Sequence, residues 1–269
     1  MIDLHIHILP GIDDGSRDME ESLEMARCAA ADGIKAVVAT PHIMVGVYNN
    51  SKEKILDAVQ TFRGQLQAQG IPLEVYPGAE YMLDPDIPLW LKEGRALTLY
   101  DGGKYLLVEF PAAEIPIYAD QTFFEIALQG VTPIIAHPER NSKFMEDPDK
   151  LLSFIEKGAL CQGTAGSFTG LFGSRARRLA VDYLLDGCYH FISSDAHGTD
   201  RRSPVLSEAC RVAEGYSTGL GKLLTGDNPT RLLQGRSPVR PPTIEKPPPQ
   251  GKLGFLSRLW RRKDTFPGK

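Results

Sequence analysis

Apolar residues along the chain fall in short β-type runs, each followed by a longer stretch with helical composition. The runs cover 2–7, 36–40, 74–80, 105–110, 133–137, 159–163 and 190–194. Helix candidates between and after them cover 18–32, 51–69, 120–129, 148–157, 174–186 and 204–214. Asp18 and Glu21 have the spacing of a capping box at the first helix start. Gly33, Gly70, Gly130, Gly158 and Gly187 stand where helices close. Seven strands alternating with helices predict an α/β fold with a parallel sheet, a distorted (β/α)7 barrel rather than an open doubly wound sheet. No G-x-G-x-x-G follows a strand and no G-x-x-x-x-G-K-[ST] occurs, which disfavours nucleotide-cofactor folds.

A chain of 269 residues is long enough for one such barrel. The expected division is a catalytic body at 1–235, a Pro-rich linker at 236–251 and a tail at 252–269. Net charge sharpens that division: the segment from Arg236 onward carries +7 and the first 235 residues −11. An acidic body argues against a nucleic-acid partner. No run approaches 18 apolar residues and no charged-then-apolar leader opens the chain, so a cytoplasmic location is expected. Cys28, Cys161, Cys188 and Cys210 form no C-x-x-C pair and are expected as buried thiols.

Polar chemistry gathers at the strand ends. The first run carries His5 and His7, two positions apart and so on one face of a strand, with Asp14 in the loop beyond. The next runs end in His42, Glu80, Glu109 and His137, and the last in Asp195 and His197. Any one of these has a bland explanation as a cap, a turn former or a surface charge. Together they put five histidines and four carboxylates on one end of a parallel barrel, the end where barrel enzymes keep their sites. Only His190 is left out, and it is expected to be structural.

Nine donors exceed a single zinc-type site and suit two or three divalent ions, with carboxylates such as Glu80 bridging between them. The mixed imidazole and carboxylate set favours Mn, Fe or Zn over Ca or Mg. Ions about 3.5–4 Å apart can hold a hydroxide and bind the oxygens of a phosphate undergoing displacement. Arg140, and either Arg201 or Arg202, follow the donors closely enough to hold phosphate oxygens. A thiol-based tyrosine phosphatase needs C-x5-R, but the residues six beyond the cysteines are Ile34, Ser167, Ser194 and Tyr216.

His5-x-His7, Thr40-Pro-His42, Gly78-x-Glu80, His137-Pro-Glu-Arg140 and Ser194-Asp195-x-His197 resemble the PHP (polymerase and histidinol phosphatase) superfamily. Within it, MIDLHIHILPGIDDG, HPERN, TAGSFTGLFG and SSDAH resemble the bacterial PHP-type tyrosine phosphatases of capsule and exopolysaccharide systems, over residues 1 to about 235. The resemblance implies a distorted (β/α)7 barrel and a trinuclear, often manganese-dependent centre. It implies a phosphotyrosine substrate on the membrane-embedded autokinase that controls polysaccharide assembly. The implied ligands are His5, His7, Asp14, His42, Glu80, Glu109, His137, Asp195 and His197, with Arg140 and Arg202 on the phosphate. The expected mechanism is hydrolysis by a metal-bound hydroxide without a covalent phospho-enzyme, Asp14 or His197 relaying a proton to the leaving oxygen.

Other readings are a PHP phosphoesterase acting on a small phosphomonoester or nucleic-acid end, and a non-catalytic regulatory partner of the kinase. The amidohydrolase superfamily also opens with H-x-H, but often carries a bridging lysine on strand 4, where this chain has Glu109. In the tail, Leu253, Phe255, Leu256, Leu259 and Trp260 share a helical arc of roughly 160° that leaves out Arg258, Arg261 and Arg262. Such a basic amphipathic helix suits an anionic membrane surface or a docking partner.

Overall fold

Each of the seven expected strands forms; one of them breaks in the middle and another resumes beyond its expected end. The computed structural model describes residues 1–246. Its strands are β1 (Ile2–Ile6), β2 (Ala36–Ala39), β3 (His42–Ile43), β4 (Glu74–Pro77), β5 (Glu80–Met82), β6 (Tyr105–Glu109), β7 (Thr132–Ala136), β8 (Leu160–Thr164) and β9 (Phe191–Ser193). All named pairings are parallel, in the orders β1-β2-β4 and β3-β5-β6-β7-β8-β9. β2 fills the expected 36–40 strand, and β3 resumes its course beyond Thr40-Pro41, past the expected end; β4 and β5 share the expected 74–80 strand, interrupted at Gly78-Ala79.

The reasons for the breaks are local. Pro41 has no N–H for the ladder. Thr40 turns its hydroxyl inward to accept from Ile6 N at 3.0 Å. At the second break a Cβ on Gly78 would stand 2.7 Å from Val38 Cγ1, so the two chains approach more closely there than a side chain allows. β9 closes on β1 through Asp195 N to His5 O, 2.8 Å, and His7 N to Ala196 O, 2.9 Å. Seven staves therefore complete a distorted barrel.

Two apolar clusters follow the period-2 alternation of the strands. Leu4, Val38, Tyr105, Leu107, Ile134, Ala136 and Phe191 fill the interior, and Leu232 of the helix Asn228–Leu233 plugs the end where β6 begins. Val37, Leu106, Val108, Ile135 and Ile192 face outward onto the helices, including Met19–Ala31 and Lys52–Ala68. The expected first cap is present: Asp18 accepts from Glu21 N at 2.9 Å, a contribution of about 1 kcal/mol.

From 236 to 246 the chain has no helix or strand and lies against the body. Asn228 donates to and accepts from Val239, 2.8 Å each way, and Ile244 N donates to Leu185 O at 2.7 Å. The rest of the expected linker and the whole amphipathic tail, 252–269, lie outside the described residues. Among the cysteines Cys161 and Cys188 are buried, but Cys28 and Cys210, also expected inside, are partly exposed.

Candidate metal centre

β1 changes parity on its way to the site. Its register against β2 shifts between Asp3 and Ile6. Before the shift Leu4 packs in the barrel interior; after it Ile6 faces the helices, which turns His5 and His7 inward. The loop then folds back over His7, with Ser16 N donating to His7 O at 3.1 Å. A Cβ on Gly15 would lie 2.2 Å from that oxygen, so only glycine fits. The fold-back sends Asp13 to one side of His7 and Asp14 toward His42 and His197.

All nine sequence-predicted donors meet in one place, in three overlapping sets. Within each, one donor atom per residue lies within 4.8 Å of the others: His7, Asp14, His42 and His197; His5, His7, Glu80 and Asp195; His42, Glu80 and Glu109. His137 joins through Nε2, 3.1 Å from Glu80 Oε1 and 3.6 Å from Glu109 Oε1. Glu80 stands at the centre. Its Oε2 lies 3.1 Å from His5 Nε2, 3.3 Å from His7 Nε2 and 3.1 Å from His42 Nδ1. Asp14 Oδ1 is 3.5 Å from both His42 Nε2 and His197 Nε2 and is half-exposed, at the mouth of the cluster. His190 is elsewhere: its Nδ1 accepts from Cys161 N at 3.2 Å.

Two left-handed backbone positions aim donors into the cluster. His137 (φ 30°) and Asp195 (φ 52°) each follow the end of a strand and turn sharply, a conformation unfavourable for a residue with a Cβ. Asp195 also accepts through Oδ2 from Arg202 Nη2 at 2.6 Å and from Arg140 Nη1. Of the two neighbouring arginines, then, Arg202 reaches the cluster. Arg201 and Arg202 both line a cavity with Thr169, Phe172 and Glu208, but Arg202 is the one that bonds Asp195.

Three supporting residues escaped the sequence reading. Gln162 Oε1 takes the His5 Nδ1 proton at 2.8 Å, its own amide N–H donating to Gly163 O. Asp13 Oδ2 takes the His7 Nδ1 proton at 2.7 Å and the His42 N–H at 3.0 Å. Glu139, fully buried, accepts from Thr164 N and Tyr189 OH, 2.9 Å each, and so ties the His137–Arg140 turn to the end of β8. A lone glutamine inside an apolar strand was a signal for Gln162. The Asp13-Asp14 doublet was a signal for one inward acid, but not for which.

These partners define what the centre can hold. With each Nδ1 proton committed to an acceptor, the neutral rings of His5 and His7 present lone pairs at Nε2, and those atoms are 3.1 Å apart. Protons on both would put two N–H groups head to head. Glu80 Oε2 and His42 Nδ1, both buried, make no hydrogen bond. In their neutral forms these imidazoles, with the carboxylates, turn lone pairs toward one another, an arrangement that fits cations.

Charge tells the same story. Burial would push Glu80 and Asp195 up, but His5 and the other bases around them hold both carboxylates well below the usual range. Burial and then Glu80 push the Glu109 carboxyl up to about 8. Burial and then Arg140 push the His137 imidazole down to about 4. Burial would also lower His7, yet Asp13, Asp195 and Glu80 outweigh it and raise it well above an ordinary imidazole. The cluster is short of positive charge.

The family model described as capsular polysaccharide synthesis, CpsB/CapC, matches residues 1–234. The chain belongs to the CpsB/CapC family. The tyrosine-protein phosphatase YwqE of Bacillus subtilis is 39% identical over 251 residues, 93% of this chain and 96% of that protein. The putative tyrosine-protein phosphatase CapC of Staphylococcus aureus is 36% identical over 208 residues, 77% of this chain and 81% of that protein. A crystal structure from work on YwqE of Bacillus subtilis and CpsB of Streptococcus pneumoniae, described as unique metal-dependent tyrosine phosphatases, superposes with a TM-score of 0.86 at 38% identity. It covers 92% of this chain and all of that one. The barrel expected from the strand count is thus the fold of a CpsB/CapC relative.

Proposed function

We propose that this protein is a metal-dependent protein-tyrosine phosphatase. The observation that carries the reading is the set of lone pairs facing one another around Glu80, in a chain whose CpsB/CapC relatives are named tyrosine phosphatases. His5, His7, Asp14, His42, Glu80, Glu109, His137, Asp195 and His197 would hold two or three divalent ions. Manganese suits this donor set, with iron or zinc as alternatives. Bound there, divalent cations would polarise the phosphoryl group and lower the pKa of water.

The remaining work falls to the protein's own side chains. Arg140 and Arg202 converge on Asp195 and leave further N–H groups for phosphate oxygens, holding the group and offsetting charge as it builds. Asp13 and Gln162 fix the rings of His7 and His5, so the donors need no rearrangement. At the open mouth, His197 and then burial act on Asp14: the hydrogen bond from His197 wins, and the carboxyl is held well below its usual range. Asp14 is therefore charged, while burial and then His7 lower the His197 imidazole beside it; either of the two would relay a proton to the leaving tyrosyl oxygen. No cysteine is among the grouped donors, and burial pushes the Cys161 thiol up and Cys188 to about 12. A thiolate nucleophile has no place in this reading.

The substrate of this reading is a phosphotyrosine protein, the autokinase of a capsule or exopolysaccharide system. Among the described residues no helix is long and apolar enough to cross a membrane. A cytoplasmic enzyme held near a membrane-embedded kinase by its basic tail fits that substrate. The deciding assay offers the metal-reconstituted protein a phosphotyrosine peptide, a phosphoserine peptide, histidinol phosphate and a single-stranded oligonucleotide. Turnover of the phosphotyrosine peptide is expected. Turnover of any other substrate with that peptide left intact would remove the reading.

A further inference from the structure

Phe172 lies beneath both arginines of the site. Its ring centroid is 4.5 Å from the Arg140 guanidinium carbon and 5.9 Å from that of Arg202. We propose that Phe172 is a positioning residue for phosphate binding, an aromatic platform that fixes the two guanidiniums around a tetrahedral anion. The proposal rests on the phosphatase reading only in taking phosphate as the ligand of those arginines.

The two guanidiniums approach the same oxygen, Asp195 Oδ2, where like charges repel. Something must hold them sideways. A second carboxylate would do so by consuming N–H donors and repelling phosphate. A ring face attracts a guanidinium through its quadrupole and takes no donor. The Arg202 Nε is buried without a hydrogen-bond partner, so Asp195 and the ring are what locate that side chain.

The backbone is built to seat the ring. The short helix Ala165–Thr169 ends on Gly170 at φ 91°, and Leu171 N turns back to Gly166 O at 2.8 Å. A Cβ on Gly166 would stand 2.9 Å from Phe172 Cε2, so the ring rests against bare backbone. The same loop begins at Thr164, whose N–H is held by Glu139, the residue before Arg140. Loop and arginine turn are thus tied at one end and stacked at the other.

The test uses full-length, metal-loaded protein with Phe172→Leu, Phe172→Trp and Gly166→Ala. Metal content, thermal unfolding, phosphotyrosine-peptide kinetics and calorimetric binding of inorganic phosphate are measured for each. Phe172→Leu is expected to raise KM for the peptide and Kd for phosphate in parallel, about three- to tenfold, with kcat and metal content within twofold of wild type. Phe172→Trp should restore both constants, and Gly166→Ala should mimic Phe172→Leu by displacing the ring. Unchanged constants in Phe172→Leu would overturn the proposal. So would a loss of metal, or of kcat alone, that Phe172→Trp fails to repair. If the wild-type protein leaves the phosphotyrosine peptide intact, the phosphatase reading falls, while the phosphate Kd of Phe172→Leu against wild type still decides the role of Phe172.

Discussion

The Nε2 atoms of His5 and His7 stand 3.1 Å apart, each on a ring whose other nitrogen is committed to an acceptor. A cation held by both rings would remove the conflict. Metal stripping is therefore expected to cost stability as well as activity. A ligand at a hundred to a thousand times its Kd stabilises by about 3–4 kcal/mol. Chelation should lower the melting temperature by roughly 6–15 °C and re-addition should restore it, as differential scanning calorimetry can show. His7→Ala should abolish turnover and remove the chelator response.

Asp13 supplies an acceptor and a charge to the same imidazole. Asp13→Asn keeps the first and loses the second. A drop in metal affinity of about 10–100-fold is expected, with the fold intact by circular dichroism. Gln162→Ala should weaken binding in the same range through His5. Titration with manganese followed by calorimetry measures both, and wild-type affinity in Asp13→Asn would show that His7 needs no charge on its partner.

Replacing all four cysteines by serine should leave kcat/KM within about twofold. The change should still lower stability, because two new hydroxyls at the buried positions 161 and 188 need partners, at about 1–3 kcal/mol each. Loss of turnover in a folded variant would bring a thiol back into the mechanism.

His190 sets a pH dependence remote from the metal cluster. Burial, then Arg240, lowers its pKa from the ordinary 6.5 to about 4. The unfolded chain therefore binds this proton more readily between those values. Stability from His190 is present above pH 6.5 and is lost as pH falls toward 4, by about 3 kcal/mol. Protonation also breaks the hydrogen bond from Cys161 N. His190→Asn, which keeps an acceptor near that position, should flatten this part of the profile in denaturant titrations at pH 4.5 and 7.

A chain ending at Gly235 should be less stable than one ending at Lys246. The first loses Val239, which satisfies both ends of the buried Asn228 amide, and the Ile244 bond to Leu185. About 1–3 kcal/mol is expected for the exposed Asn228 groups, read as a lower denaturant midpoint. The Lys246 truncation is accordingly the clean background for liposome co-sedimentation, which should be lost with the tail.

The strand count, the helix caps and the nine donors were legible because each is a local signal: period-2 apolar runs, glycine after a helix, a charged residue at a strand end. The stop before Pro41 was legible too, but the resumption of the strand at His42–Ile43 was not. What sequence could not give depends on contacts between distant segments. The inward turn of Asp13 rather than Asp14 as partner of His7 needs Gly15 folded onto the His7 carbonyl. The role of Gln162 needs β8 set beside β1 across the barrel mouth, a separation of 157 residues. Arg202 could be told from Arg201 only once the loop from His197 closed, with His197 N on Arg202 O at 2.9 Å.

The breaks at Thr40-Pro41 and Gly78-Ala79 leave the barrel as two separate ladders. His5 and His7 come from the three-stranded ladder; His42, Glu80 and Glu109 belong to the six-stranded one, with His137 and Asp195 just past its strand ends. An ion held by these groups would act as a rivet across a seam that backbone hydrogen bonds close along β1 and β9. Loading the site would then stiffen the barrel mechanically, and amide exchange near residues 40 and 78 would gauge whether the rivet is in place.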